Sequence, residues 1–512
     1  MTPGRGKVYL VGAGPGDPGL LTLRGKFLLE RAQVVVYDYL ANEKLLEHVP
    51  VSAELVYVGK KGGGLHAATQ EEINAILVEH GLAGKNVVRL KGGDPFIFGR
   101  GAEEIEELVR HNIPFEVVPG VTSATAAATY AGIPITHRRY TSSVAFVTGH
   151  EDPGKETSSI DWSKLATGVG TIVIYMGIKN LPVIMGKLIE HGRSPDTPVA
   201  VVRWASTPQQ RSVEGTLSTI TEVVRRADIK PPALVVVGEV VRLRKKIDWF
   251  EHRPLFGRRI VVTRTREQAS ELVVLLEEQG ASCLEYSTIH IEALEDYSVL
   301  DRELDGLASC QWLLFTSLNA VRYFFRRLHQ RGMDSRDLKG PRVGAVGRAT
   351  AEALLAHGIR VDLLPKEYTG EGLAASLIES GVAGSRILVP RALEARETLP
   401  QMLREAGAQV ALAPVYRNVP RRDRAETLRQ QLADGEIDML TFTSSSTVTN
   451  FCAMLGAASP EELVTLLKDV RIAAIGPVTA RTVGEHGLTV DVQPENYTIP
   501  DLVQAIVQWY ST

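Results

Sequence analysis

The feature that most constrains this chain is an internal duplication in its C-terminal half. The segment PRVGAVGRATAEALLAHGIRVDLLPKEYTGEGL, starting at Pro341, matches VRIAAIGPVTARTVGEHGLTVDVQPENYTIPDL, starting at Val470, without a gap. The two share their Gly, Thr, His-Gly, Val-Asp, Pro and Tyr-Thr punctuation. The relation extends outward: RIVVTR from Arg259 pairs with RILVPR from Arg386, and LLFTSLNAV from Leu313 with MLTFTSSSTV from Met439. A unit of about 125 residues is longer than a solenoid repeat and long enough for its own core. Two similar α/β lobes are therefore predicted, with a cleft between them of the kind in which ligands bind.

The rest of the chain also reads as α/β. Short apolar, β-branched runs (Val8 to Val11, Val34 to Tyr37, Val87 to Leu90, Ala145 to Thr148, Thr171 to Tyr175, Val199 to Val202, Leu234 to Val237) alternate with amphipathic segments. That alternation predicts largely parallel, buried strands. At roughly 100 to 200 residues per domain, 512 residues imply several compact units. The basic, Pro-containing stretch KKIDWFEHRPLFGRR (245–259) precedes a fresh strand at Ile260, so the main boundary is placed near residue 255, between domains at 1–250 and 258–512. With 44% hydrophobic residues, 23% charged and a net charge of -3, the chain has the composition of an ordinary globular protein and no excess of basic charge for nucleic acid. No run approaches 18 apolar residues and the first residues lack a leader pattern, so neither a membrane partner nor export is expected, and a cytoplasmic location is. Cys283, Cys310 and Cys452 are scattered and outside any CxxC or Cys/His cluster, which predicts no disulfide framework and no metal site, and fits buried thiols instead.

Chemistry concentrates in three loops of the N-terminal half. VYLVGAGPGDPGLLTLRG puts Gly12, Gly14 and Gly16 directly after a strand, where backbone can turn sharply and approach a ligand. A dinucleotide fingerprint needs a third Gly where this chain has Asp17, so NAD binding is disfavoured. A second loop, RLKGGDPFIFGRGAEE (89–104), and a third, VVPGVTSATAAATYAGIPITHR (117–138), also follow strands. Three such junctions at the carboxyl ends of one parallel sheet suit an extended ligand.

GAGPGDPGLLTLRG, YVGKKGG, RLKGGDPFIFGRG, VPGVTSA and GIPITHR, in this order and spacing, resemble the uroporphyrinogen-III C-methyltransferases of the tetrapyrrole methyltransferase family, over roughly residues 5 to 250. The resemblance implies a two-lobed fold, a homodimer, and S-adenosylmethionine lying in a trough between the lobes. Matched by motif, its contacts are Pro15, Gly92, Gly93, Asp94, Ile97, Thr122, Ser123, Met176 and Ala205, the last standing where relatives often have Gly. Asp38 and Lys60 match the positions of the family's proton acceptor and donor; in isolation the plainer readings, a loop cap for Asp38 and a solvated surface charge for Lys60, prevail, and the motif context brings the two readings level. His137 and Arg138 are open between receiving substrate carboxylates and capping a helix.

In the C-terminal half, RIVVTR, FTSLNAV, VGAVGRAT, LVPR, VYRNV, TFTSSSTV and AAIGPVTA resemble uroporphyrinogen-III synthase over about residues 258 to 512. The resemblance implies closure of hydroxymethylbilane with inversion of the last ring and loss of water, without a cofactor. Such an enzyme mainly imposes conformation on a substrate that also closes by itself. Strand-end groups suited to hold its acetates and propionates are Thr316, Ser317, Asn319, Thr443, Ser444 and Ser445, with the helix N-termini after Gly347 and Gly476. Tyr416 matches a tyrosine implicated in the family in hydroxyl loss. The plainer readings are helix caps for the hydroxyls and a packed aromatic for the tyrosine. Arg264 and Arg391 occupy equivalent repeat positions, facing the cleft or, as most arginines do, the surface. The two resemblances imply a bifunctional enzyme making precorrin-2, a product whose further use in siroheme, cobalamin or another cofactor the sequence leaves open. The alternatives are a methyltransferase of the same fold acting later on the corrin ring, and a methyltransferase with a catalytically silent, tetrapyrrole-binding C-terminal module.

Overall fold

The computed structural model describes residues 6–59, 68–150, 159–263, 266–286, 289–395, 397–420, 425–457 and 459–511. They form two compact units: Met1–Arg259 with Val274–Cys283 and Ile506–Thr512, and Ile260–Val273 with Leu284–Ala505. Residues 245–259, read from sequence as the boundary, pack into the first unit: Phe250 and Leu255 are buried and the Trp249 indole donates to Thr129 O at 3.1 Å.

The first unit holds two sheets. One comprises β1 (Val8–Gly12), β2 (Val34–Tyr37), β3 (Glu54–Tyr57), β4 (Val87–Lys91) and β5 (Phe115–Val118), ordered β3-β2-β4-β1-β5 and wholly parallel. β1 lies between β4 and β5, so the loops after these three strands open side by side at one edge, where ligands of parallel sheets bind. The other sheet contains β6 (Val144–Thr148), β7 (Thr171–Tyr175), β8 (Pro198–Arg203), β9 (Arg211–Thr216) and β10 (Ala233–Val237), ordered β6-β7-β10-β8-β9. Here the expectation of parallel strands fails: β6 and β7 are parallel, whereas β7-β10, β10-β8 and β8-β9 are antiparallel. Thr171–Tyr175 and Leu234–Val237 are buried on both faces, and an unbroken apolar run carries no information about strand direction.

The C-terminal half contains β11 (Arg259–Val262), β12 (Ser282–Glu285), β13 (Ile289–Ala293), β14 (Trp312–Phe315), β15 (Arg342–Ala345), β16 (Arg386–Ala392), β17 (Gln409–Pro420), β18 (Met439–Phe442) and β19 (Arg471–Ala474). They build one sheet ordered β12-β11-β18-β19 and another ordered β13-β17-β16-β14-β15. β11 and β16 are the repeat-equivalent strands, as are β14 and β18, and β15 and β19. The two copies have therefore exchanged strands: β11 of the first copy pairs with β18 and its neighbour β19 of the second, and β16 of the second pairs with β14 and its neighbour β15 of the first. The registers agree, Ile260 opposite Met439 in one sheet and Ile387 opposite Trp312 in the other. So do the details. Asp362 Oδ2 accepts the Val343 N–H at 2.7 Å and Asp491 Oδ2 the Ile472 N–H at 2.8 Å, which explains the repeated Val-Asp. The repeated tyrosines, Tyr368 and Tyr497, lie over Gly347 and Gly476. The lobes expected from the duplication are present, but neither is one sequence copy.

Candidate active site

In the first unit the glycine loops meet backbone to backbone. Gly14 and Gly93 exchange hydrogen bonds (Gly93 N–H to Gly14 O 2.7 Å, Gly14 N–H to Gly93 O 3.3 Å), and Ala13 N–H reaches Lys91 O at 2.7 Å. A Cβ on Gly12 would lie 2.5 Å from the Gly120 backbone and one on Gly92 2.5 Å from Leu40 Cβ, so these positions exclude any side chain. The Asp94 carboxylate fastens the same cluster, accepting from Phe96 N–H (2.8 Å) and Gly120 N–H (3.1 Å).

The second lobe of this unit closes onto these loops through residues the sequence reading missed. Asp17, the residue that breaks the dinucleotide fingerprint, accepts from the Tyr130 hydroxyl at 2.7 Å and donates its N–H to Ser206 Oγ at 3.1 Å. Burial, then the Asp17 carboxylate, holds the Tyr130 phenol well above its ordinary pKa. Tyr175, at the end of β7, meets Thr122 Oγ1 at 2.5 Å and accepts the Ala124 N–H at 3.2 Å. Thr122 is the N-cap of the helix Ser123–Tyr130 but makes no capping bond; the Tyr175 oxygen does so in its place. Buried Ala124, Ala126, Ala127 and Ala128 let that helix pack closely.

Non-glycine residues with positive φ gather here: Phe98 (52°), Arg100 (57°), Met176 (53°), Trp204 (50°) and Ser206 (65°). Such backbone costs roughly 1 kcal/mol or more per residue and clusters at functional sites. No periodicity announces it in the sequence; the one signal was Met176 itself, in a family motif. Met176 is exposed, Ala205 is buried, and Pro15, Ile97 and Ser123 are half-buried, at the ends of β7, β8, β1, β4 and β5 respectively. Strand ends thus gather the nine expected cofactor contacts from both lobes.

Asp38 follows β2 with its side chain 21% exposed. Its Oδ1 accepts the Leu40 N–H at 3.0 Å, a loop cap, and its Oδ2 faces Arg89 Nη2 at 3.0 Å, so it is more than a cap. Lys60 lies outside the described residues. His137 Nδ1 accepts the Arg139 N–H within its own turn, and Arg138 is exposed.

In the second unit Tyr416, on β17, is buried opposite Ala392 and Ala293, with its hydroxyl 3.3 Å from Ser317 Oγ and its ring tilted against Tyr323. Burial pushes its phenol above the ordinary tyrosine range. Ser317 also caps the helix Leu318–Gln330 by accepting the Ala320 N–H at 3.1 Å; Thr316 and Asn319 flank it, half-buried. In the other lobe Ser444 caps Ser445–Leu455, Ser445 donates to Val478 O, and the buried Thr443 Oγ1 has no hydrogen-bond partner among the described residues. Among those residues no hydrogen bond joins the Tyr416 group to the Thr443 group. Arg391 is not at the surface: it is buried, held by Glu397 (2.8 Å) and the Ala395 carbonyl, where the extra residue Val415 of β17 shifts the β16-β17 register. Arg264 lies outside the described residues. Cys310 and Cys452 are buried and Cys283 half-buried. Among the described residues no cluster of His, Cys, Asp or Glu is placed to hold a metal, and no helix is long and apolar enough to cross a membrane.

Comparison with known proteins matches two family models along the chain. Residues 7–221 match the family model of tetrapyrrole (corrin/porphyrin) methylases, and residues 270–504 that of uroporphyrinogen-III synthase HemD. The porphyrin biosynthesis protein HemD of Ruminiclostridium josui is 39% identical over 503 residues, 98% of each chain. A uroporphyrinogen-III C-methyltransferase of Bacillus subtilis is 44% identical over 68% of this chain and 71% of its own. The S-adenosyl-L-methionine-dependent uroporphyrinogen III methyltransferase of Methanosarcina barkeri is 54% identical over 48% of this chain and 95% of its own. With glycine loops and Tyr175-capped helix in one unit and strand-exchanged repeats in the other, the chain belongs to the family of fused tetrapyrrole methylase and uroporphyrinogen-III synthase enzymes.

Proposed function

We propose that the C-terminal half closes hydroxymethylbilane to uroporphyrinogen III and that the N-terminal half methylates this product twice to precorrin-2, with S-adenosylmethionine as donor. The observation that carries the reading is the presence of both family models on one chain, over 7–221 and 270–504, for reactions in which one product is the next substrate. The domains are taken as 1–250 and 258–512, the first also as the homodimerising part.

The residues fit the donor. Backbone amides and carbonyls of the Gly92-Gly93 loop, the Thr122-Ser123 helix start and the exposed Met176 offer polar and apolar contacts to a nucleoside and a methionine moiety, supported by Pro15, Asp94, Ile97 and Ala205. S-adenosylmethionine, when bound, would supply a sulfonium methyl group for a pyrrole carbon to take by direct displacement of the thioether. The protein's part is alignment and one proton per transfer. Asp38 accepts that proton on its partly exposed carboxylate, and Lys60 serves as donor. In the synthase half the Tyr416 phenol, kept protonated by burial, donates toward the departing hydroxyl, while Thr316, Ser317, Asn319, Thr443 and Ser444 hold carboxylate arms.

The test supplies hydroxymethylbilane with and without S-adenosylmethionine and identifies the products. Uroporphyrinogen III alone, turning to precorrin-2 when the donor is added, is expected. Formation of only the uninverted isomer would show the C-terminal half to be silent. Uroporphyrinogen III that persists in the presence of donor would sink the methyltransferase reading.

A further inference from the structure

β4 reads Val-Val-Arg-Leu-Lys, and all five residues are buried. Two cations in such a strand break the pattern of a parallel sheet interior, where apolar residues of similar volume are as stable or more so. Arg89 and Lys91, two apart, point to the same face. On that face stands Glu104, from the helix Gly101–Arg110, fully buried.

The four charges form one chain of contacts that surfaces at Asp38. Arg89 donates from Nη2 to Asp38 Oδ2 at 3.0 Å and from Nε to Glu104 Oε1 at 3.4 Å. Its Nη1 donates to Leu90 O at 2.9 Å and Val36 O at 3.4 Å, which fixes the guanidinium plane. Glu104 Oε1 also takes Lys91 Nζ at 2.5 Å and Gln70 Nε2 at 3.4 Å, while Oε2 has no partner among the described residues. Two cations and two carboxylates balance. Glu104 makes a second buried cation tolerable, and the rigid Arg89 fork leaves the Asp38 carboxylate one orientation, at the strand edge beside the Gly92-Gly93 loop.

We propose that Arg89 and Glu104 are positioning residues for methyl transfer, acting through Asp38; the inference rests on the reading of Asp38 as proton acceptor. A carboxylate free to rotate would seldom meet the proton it must take. Arg89, held by two carbonyls and Glu104, removes that freedom without touching the substrate.

A double-mutant cycle on the full-length chain tests this, with methylation of uroporphyrinogen III as readout and S-adenosylmethionine titration as the check on folding. Asp38→Asn is expected to lower kcat by about 10² to 10⁴-fold, the usual loss of a general base. Arg89→Met is expected to lower kcat roughly 10-fold or more with the KM for S-adenosylmethionine nearly unchanged, and Arg89→Lys to recover part of that loss. Residues that act as a unit are non-additive, so the double variant is expected to be no slower than Asp38→Asn alone. An Arg89→Met effect as large in the Asp38→Asn background as in the parent would overturn the positioning role. Asp38→Asn with parental turnover would overturn the acceptor reading instead, a separate result. If Arg89→Met does not fold, the near-isosteric Glu104→Gln reads the same cycle, and additivity there overturns the proposal equally.

Discussion

Tyr175 Oη stands 2.5 Å from Thr122 Oγ1 and accepts the Ala124 N–H, so a residue from one lobe of the methylase unit caps a helix whose N-terminus lies in the other lobe's loop cluster. One hydroxyl thereby sets the position of two of the expected cofactor contacts, Thr122 and Ser123, relative to a third, Met176.

Tyr175→Phe removes that cap and leaves a buried hydroxyl and an amide unpaired. A loss of about 1–3 kcal/mol in unfolding stability is expected. Affinity for S-adenosylmethionine should fall as well, because the Thr122-Ser123 turn loses its anchor. Denaturant unfolding and calorimetric titration check the two effects.

Met176 has φ of 53°, a conformation that costs a residue with a Cβ roughly 1 kcal/mol or more. Met176→Gly relieves that strain, although glycine also gains freedom in the unfolded chain. The folded unit should therefore be as stable as the parent or slightly more so, while binding of S-adenosylmethionine weakens. A fall in melting temperature would show that the Met176 side chain supports the core rather than the ligand.

The raised Tyr416 pKa fixes a pH dependence. Tyrosine titrates near 10 when unfolded. The folded value is higher because burial disfavours the phenolate, so this contribution to stability is complete below the unfolded value and is lost as pH rises through the folded one. At pH 6 to 9 the phenol remains a proton donor, and the synthase rate should show no limb from this group. Tyr416→Phe should lower the yield of uroporphyrinogen III relative to the spontaneous isomer and leave the fold intact, since Ser317 keeps its capping bond to Ala320. An unchanged isomer ratio in chromatography would remove Tyr416 from the mechanism.

The buried Thr443 hydroxyl has no hydrogen-bond partner among the described residues, which disfavours the fold by itself. Thr443→Val keeps the shape and removes the polar atom, so stability should rise by about 1 kcal/mol. Its expected counterpart is a higher KM for hydroxymethylbilane, measured by initial rates. Higher stability with an unchanged or lower KM would mean that the hydroxyl serves no ligand.

Much of the architecture could be read before any coordinates. Val34–Tyr37 and Thr171–Tyr175 are strands with the bounds their apolar runs mark, and the glycines around Gly12, Gly92 and Gly93 mark loops where any Cβ would clash or the backbone turns to positive φ. Asp38 was readable as a site residue only through its motif, since a carboxylate after a strand caps a turn as readily as it does chemistry; the structure shows both bonds. Arg89 and Glu104 delimit a loop motif, but a sequence separation of 15 residues does not say that their side chains meet.

The two-part chain, the α/β class and the duplication follow from the amino-acid order, because local periodicity, glycine punctuation and repeated Val-Asp pairs are properties of short segments. How those segments pair is a matter of the assembled fold. Strand direction in β7, β10 and β8 depends on neighbours far along the chain. So does the exchange that puts β11 beside β18 and β16 beside β14: equivalent strands from either copy present the same residues in the same register, and chain connectivity and packing select between them.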